Sequence, residues 1–160
     1  MSLVNVLFQS PKSILEIKYI TDILVEDRFL KFIGAVKLSK SNATIIYLGE
    51  EKVGVIINNN YVVGGIKHAE PLLYIAKPSM YSQMIVYRLL DQLFNLKGVK
   101  SIILKIFSDN KLMLNLVSNF NIPECGRIYD VSSDLKRDLI IFQLDVSLYK
   151  KMFKEGVSYI

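Results

Sequence analysis

The apolar positions change period several times along the chain, and each change marks an element. Leu3–Phe8 reads as an opening strand ended by Ser10-Pro11. Ser13 then stands where it can cap a helix over Ile14–Ile20, with Glu16 at the third helical position, the pattern of a capping box. A second helical stretch runs over Asp22–Phe32, with Leu24, Phe29, Leu30 and Ile33 toward one face and Gly34 as its stop. From Thr44 the period becomes that of strands. Thr44–Leu48 and Val53–Ile57 flank the polar turn Gly49-Glu50-Glu51-Lys52 and predict a hairpin. Asn58-Asn59-Asn60 predicts a turn, since Asn tolerates left-handed backbone angles. Tyr61–Val63 predicts a short strand before Gly64-Gly65, and Leu72–Ala76 a buried strand closed by Lys77-Pro78.

The second half reads more plainly. Ile85, Leu89, Leu90, Leu93 and Leu96 fall at helical spacing over Ser82–Leu96 with no proline between them, so an amphipathic helix is expected, ended by Gly98. Ser101–Phe107 predicts another strand. Ser108 or Asp109 is expected to cap a helix over Lys111–Asn119, with Leu112, Leu116 and Phe120 inward. Gly126–Tyr129 and Leu139–Leu144 predict two strands around the polar turn Ser132–Arg137, and Asp145–Phe153 a Lys-rich closing helix. Helices and strands do not alternate throughout, so the expected class is mixed α+β. The 160 residues suffice for one domain, with a core over 3–144 and a helix and tail over 145–160.

Composition removes several kinds of chemistry. A hydrophobic share of 51% supplies a full core, which excludes a disordered chain. The net charge of +5 is spread along the sequence rather than gathered into an arm, so nucleic acid is not an expected partner. One cysteine, Cys125, and one histidine, His68, exclude an internal disulfide framework and a paired-His metal motif. The chain has no apolar run long enough to span a bilayer and no basic, cleavable leader pattern. A soluble intracellular protein without a membrane partner is therefore expected.

Three segments together resemble the GCN5-related N-acetyltransferase (GNAT) superfamily: the strands of Thr44–Val63 followed by Leu72–Lys77, Pro78 and a helix; Ile102–Phe107 followed by Asn110 and the helix to Phe120; and the terminal strand Leu139–Leu144. The resemblance implies a mixed, mostly antiparallel sheet flanked by helices, with a splayed parallel pair in the middle formed by Leu72–Lys77 and Ser101–Phe107. It further implies that the pantetheine arm of acetyl-CoA lies in the gap. Asn110 matches the family's Asn-x-x-Ala, with Met113 at the Ala position. Asn121-Ile122 stands for Gly-Phe, and Asn, like Gly, accepts a left-handed helix stop. The family's phosphate loop, Arg/Gln-x-x-Gly-x-Gly/Ala, lets backbone amides at a helix start close on an anion. Here Tyr81, Met84 and Val86 occupy its three positions, which places bulk where glycine is usual. Val117 stands where many members carry a Tyr acid.

What the resemblance implies is transfer of an acetyl group from acetyl-CoA to an amine. The cofactor would be held by Ile75, Lys77, Tyr81, Ser82, Met84, Ile85 and Asn110, with amides near Ile75–Lys77 polarising the thioester carbonyl. Glu70 and His68 are the candidate bases toward the amine, and Tyr81 or Tyr129 a substitute acid. The ordinary reading of His68 and Glu70 is as polar loop residues ahead of a strand, and helix capping accounts for Ser79 and Ser82 as well as hydroxyls offered to a phosphate do. Cys125 has no nucleophile partners and reads as a small, partly buried thiol. Lys150, Lys151 and Lys154 read as a solvated helix tail. The drifted loop leaves a second reading, a catalytically inactive interaction or assembly protein of the same fold, such as a viral or phage factor, with a protein partner in place of the acyl-CoA.

Overall fold

The computed structural model of the chain describes residues 5–34, 36, 42–132 and 136–154, and the side chains among them except those of 130–132 and 154. The predicted start of the first strand at Leu3, the centre of the Ser132–Arg137 turn, the side chain of Lys154 and the tail after it lie outside these residues. In chain order the elements are β1 (Val6–Gln9), α1 (Ile14–Leu24), α2 (Asp27–Phe32), β2 (Ala43–Leu48), β3 (Glu51–Ile57), β4 (Asn60–Val63), β5 (Ile66–Ala69) and β6 (Leu72–Ile75). There follow α3 (Ser82–Asp91), running into a π-helical turn (Gln92–Leu96), then β7 (Ser101–Phe107), α4 (Lys111–Asn119), β8 (Glu124–Ser132), β9 (Arg137–Asp145) and α5 (Val146–Lys154). The class is α+β. The chain divides into two units, Met1–Asn59 with Leu72–Ser82, and Asn60–Pro71 with Gln83–Ile160.

The first unit is an antiparallel sheet in the order β1-β2-β3-β6. Ile20, Ile23 and Phe29 of its helices pack with Ala43, Ile45, Val55, Ile57 and Tyr74 of the sheet into one buried cluster. The helix break falls at Val25–Glu26 rather than before Asp22, and Leu30, predicted to share a face with Phe29, is 44% exposed where Phe29 is fully buried. None of Asn58, Asn59 and Asn60 is left-handed; Asn58 instead uses its amide to hold the Asn42 carbonyl and the Thr44 hydroxyl.

Ser13 caps α1 as expected, its Oγ accepting from the Glu16 N–H at 3.2 Å. Tyr47 extends the box, its hydroxyl donating to Glu16 at 2.7 Å. That bond, with further donors from Lys12 and Ser13, holds the Glu16 carboxyl below its ordinary range. A depressed folded pKa stabilises the native state above the unfolded value and loses that contribution as pH falls through the folded one. Chemical denaturation of Glu16→Gln between about pH 6 and pH 3 is therefore expected to show a flatter loss of stability than the parent, the unfolded reference being about 4.3. Parallel curves would show that the box contributes nothing.

The second unit is a mixed sheet in the order β4-β5-β7-β9-β8. β5 stands where the sequence pattern predicts no strand. It pairs with β4 across Gly64-Gly65, both at positive φ (58° and 79°), which a two-residue primed turn demands. β5 and β7 form a parallel pair over His68↔Ser101 and Ala69↔Ile102, so the parallel ladder of this sheet lies there. β6, which is expected to splay from β7 rather than ladder with it, is hydrogen-bonded to β3 in the first sheet. Ile102, Leu104 and Ile106 of β7 and Ile140, Phe142 and Leu144 of β9 form the buried face.

The long helix departs from its sequence pattern at one end. Its last turn is π-helical, with Lys97 N–H donating to the Gln92 carbonyl five residues back. The wider turn shifts the helical phase, so Phe94 takes the buried position, stacked on Tyr149 at 4.6 Å, and Leu96 is 77% exposed. The cap of α4 is Asn110, not Ser108 or Asp109; its side chain accepts from the Met113 N–H. Asn121 stops that helix at φ 54°, the left-handed conformation expected of it.

Candidate functional site

In the first unit the sequence-named cofactor residues gather at the end of β6. β3 pairs Ile46 with Gly54 and Tyr47 with Lys52, which leaves Val53 as a bulged extra residue. The Val53 carbonyl accepts from both the Ala76 N–H, at 2.8 Å, and the Lys77 N–H, at 3.1 Å. Two of the three amides expected to polarise a thioester are therefore directed at β3. Main-chain groups alternate sides along an antiparallel strand, so the Ile75 N–H, one residue earlier, points the other way, off the edge of the sheet. The Ile75 side chain is 2% exposed and anchors the strand.

Neighbouring groups fix this strand end. The Tyr74 hydroxyl donates to Glu26 at 2.9 Å, and the Arg28 guanidinium lies 5.3 Å from the Tyr74 ring centroid while donating to the Ala76 carbonyl. Burial, then the bond to Glu26, raises the Tyr74 phenol above its usual pKa and keeps it a donor. Lys77 is exposed and pairs with Glu51 at 2.8 Å, a solvent-screened contact worth little to stability.

Ser79 and Ser82 form a closed capping box where the chain enters α3. Ser82 Oγ accepts from the Ser79 N–H at 3.0 Å, and Ser79 Oγ accepts from the Tyr81 N–H at 3.1 Å. The Ser82 N–H donates to the Ser79 carbonyl. Three amides near the helix start are thus satisfied internally. Met84 is half-buried, while Ile85 and Val86 are 1% and 2% exposed and lie in the core. The bulk at Val86 does not crowd the helix start, because the chain is already helical there and the side chain faces inward.

The second unit brings His68 and Glu70 beside two residues that sequence reasoning did not name. Glu70 accepts from the Tyr61 hydroxyl at 2.9 Å and pairs with Lys105 at 3.2 Å. The His68 ring stacks on Tyr61, with centroids 5.3 Å apart and planes 17° from parallel. The bond to Glu70 raises the Tyr61 pKa, so that phenol stays protonated. The local signal for this pairing is Gly64-Gly65, a two-residue primed turn directly after the short strand Tyr61–Val63, which sets Tyr61 opposite His68. Asn110 is 7% exposed, with its side-chain oxygen used for capping. Val117 is fully buried. Cys125 is exposed rather than partly buried, because it is the extra residue of a bulge between the Glu124 and Gly126 pairings of β8. Among the described residues no His, Cys, Asp and Glu cluster is arranged for a metal ion, and no helix is long and apolar enough to cross a membrane.

By sequence, no family model and no curated protein matches the chain. Its backbone is similar to solved acetyltransferases. A spermidine N-acetyltransferase from Vibrio cholerae, in complex with CoA and spermine, matches with a TM-score of 0.75 at 11% identity, over 90% of this chain and 97% of that one. An acetyltransferase of the GNAT family from Bacillus anthracis matches with a TM-score of 0.70 at 12% identity, over 88% of this chain and 94% of that one. An N-acetyltransferase from Staphylococcus aureus Mu50 matches with a TM-score of 0.61 at 15% identity, over 88% and 98%. The fold is that of the GCN5-related N-acetyltransferases.

Proposed function

We propose that the chain transfers an acyl group from a coenzyme A thioester to an amine. The observation that carries this reading is the end of β6, where the Val53 bulge claims the next two amides and the alternation sends the Ile75 N–H off the sheet edge. Main-chain donors aimed where charge develops on a carbonyl oxygen are the largest single aid to acyl transfer. The edge strand suits an extended, amide-bearing arm, which strand edges recruit through main-chain hydrogen bonds. Solved structures of the same fold, one of them a complex with CoA and spermine, support the reading.

Coenzyme A would supply the activated acyl group. On this chain, Ile75 would hold the arm through its backbone, and Lys77 can exchange from Glu51 onto a phosphate. The start of α3, from Ser82 to Ile85, offers the positive end of a helix dipole. That start fits a diphosphate less closely than a glycine loop does, because Ser79, Tyr81 and Ser82 satisfy their amides internally, so weaker binding than a glycine loop provides is expected. Tyr81 is the proposed proton donor to the leaving thiolate. His68 and Glu70 remain the candidates for receiving a proton, and Asn110 acts on α4 through its cap.

Thermal unfolding with acetyl-CoA tests this. At about 100 times the dissociation constant, binding adds about 2.7 kcal/mol, which raises Tm by about 5–10 °C in a chain of this size. No shift at millimolar acetyl-CoA overturns the proposal. That result leaves the fold serving an interaction without catalysis, a reading favoured by the buried Val117 at the position where the resemblance implies an acid.

A further inference from the structure

Beside Ile75, in the first unit, stand charged groups to which acyl transfer has so far given no part. Tyr74 and Ala76 flank Ile75 in the chain, and both pack with the cluster that Ile20, Ile23 and Phe29 of α1 and α2 form on the sheet. Arg28 of α2 reaches this place. Its guanidinium lies 5.3 Å from the Tyr74 ring centroid, and one N–H donates to the Ala76 carbonyl at 3.4 Å. That bond is longer than the usual range, and a guanidinium has five N–H donors to place. Among the described residues no carboxylate pairs with Arg28. Glu26 instead accepts from the Tyr74 hydroxyl at 2.9 Å, and Asp27 is exposed in the first turn of α2.

Two more donors stand nearby. Tyr19 of α1 feels the charge of Glu26, and burial followed by that carboxylate pushes its phenol up to about 12, so it stays protonated. Its hydroxyl meets no acceptor among the described residues. Lys52 lies over the Tyr19 ring, 5.7 Å from the centroid, also without a carboxylate partner among them. Tyr19, Arg28 and Lys52 are all half-buried, so a ligand can reach them.

Opposite charges are thus held apart rather than paired. Glu26 sits at the hydroxyl of Tyr74, and Arg28 over its ring. A ligand with one positive and one negative end satisfies both. A polycation satisfies Glu26 alone and meets Arg28 and Lys52 as like charges, which selects against it.

We propose that the acceptor is an amine that also carries a carboxylate, and that Arg28 is the residue that determines this specificity. The guanidinium takes the carboxylate through paired N–H donors, a geometry that Arg presents and Lys does not. Tyr19 and Lys52 donate to the same group, and Glu26 attracts the ammonium end. This rests on acyl transfer at β6 and adds to it the class of amine.

Acetyl-CoA turnover by the full chain is measured with ω-amino acids from β-alanine to aminohexanoate, and with the alkylamine and the diamine of each length. The best amino acid is expected to exceed its alkylamine at least tenfold in kcat/KM, with the diamine below both. Arg28→Gln is expected to lower the amino acid to alkylamine ratio about tenfold, through KM, equivalent to about 1.4 kcal/mol. Arg28→Lys is expected to keep part of the preference. A looser strand end would lower both substrates alike, so the ratio isolates recognition. Amino acids no better than alkylamines, or a ratio unchanged in Arg28→Gln, overturns the proposal. A raised KM for acetyl-CoA with that ratio unchanged overturns it too, placing Arg28 with a cofactor phosphate. Turnover of alkylamines alone removes this specificity and leaves acyl transfer standing. No thermal shift with acetyl-CoA and no turnover of any amine removes both.

Discussion

Gly54→Ala is expected to cost about 3 kcal/mol of folding free energy, read as a fall in Tm of about 6–12 °C. A Cβ at this position would press into the Tyr74 carbonyl oxygen and meet the Ile75 Cα and the Tyr74 carbonyl carbon at 3.1 Å. All three obstacles are main-chain atoms of β6, so no side chain can turn aside. β3 and β6 must separate, or the Gly54↔Ile75 register must slip. Glycine in a strand interior marks a close backbone approach of this kind. Separation would also withdraw the Val53 carbonyl from the Ala76 and Lys77 amides, and with it the orientation of the Ile75 N–H. The variant should therefore lose the acetyl-CoA shift as well as stability. A loss below about 1 kcal/mol, or an acetyl-CoA shift of full size, would sink both parts of this expectation.

Asp109→Asn is the second large expected effect, at about 2–3 kcal/mol by urea denaturation. Arg137 is 6% exposed, and its guanidinium lies 3.6 Å over the Phe107 ring and 3.1 Å from the Asp109 carboxylate. Taking away the carboxylate removes the negative charge that lies 3.1 Å from a buried cation, the costly half of a buried ion pair. Asp109 keeps a side-chain exposure of 33%, so water offsets part of the loss and the figure falls below the range for fully buried pairs. Arg137→Met added to Asp109→Asn is expected to restore part of the stability, because the methionine packs on the same ring without a charge to solvate. A double variant no more stable than Asp109→Asn would assign the cost to something other than the Arg137 charge. By contrast Arg127, exposed and raised in pKa by Glu124, is expected to tolerate Glu124→Gln with no measurable change.

The parts of this fold that were legible in the sequence are those with a short reach. The strand over Ser101–Phe107 was delimited to the residue, because its apolar alternation stops at polar turns on both sides. Ser13 with Glu16 announced a capping box, and Asn121 announced a left-handed stop, since each depends on atoms within a few residues. Misjudged boundaries arose where a distant partner decided the outcome. Leu96 has the right spacing to be buried, yet the π turn gives its place to Phe94, whose partner Tyr149 is on α5. Ser108 and Asp109 are better capping residues than their neighbours by composition, yet Ser108 Oγ is taken by the Asp138 N–H and Asp109 by Arg137. Asn110, which the resemblance marked for a cofactor, caps α4.

The candidate sites divide in the same way. His68 and Glu70 stood out as polar residues ahead of a buried strand, but Lys105 and Tyr61 carry no mark of their partnership with Glu70 until the sheet closes. The hydrophobic periods, turn residues and composition were by themselves enough to determine the α+β class, most of the elements and the absence of paired-thiol chemistry, because these follow from neighbours along the chain. Tertiary structure alone decided that Val53 bulges, that Gly54 admits no side chain, which way the Ile75 amide points and that Tyr61 and Lys105 meet at Glu70. Each of those depends on hydrogen bonds and contacts between segments that sequence distance does not relate, and only a closed sheet supplies them.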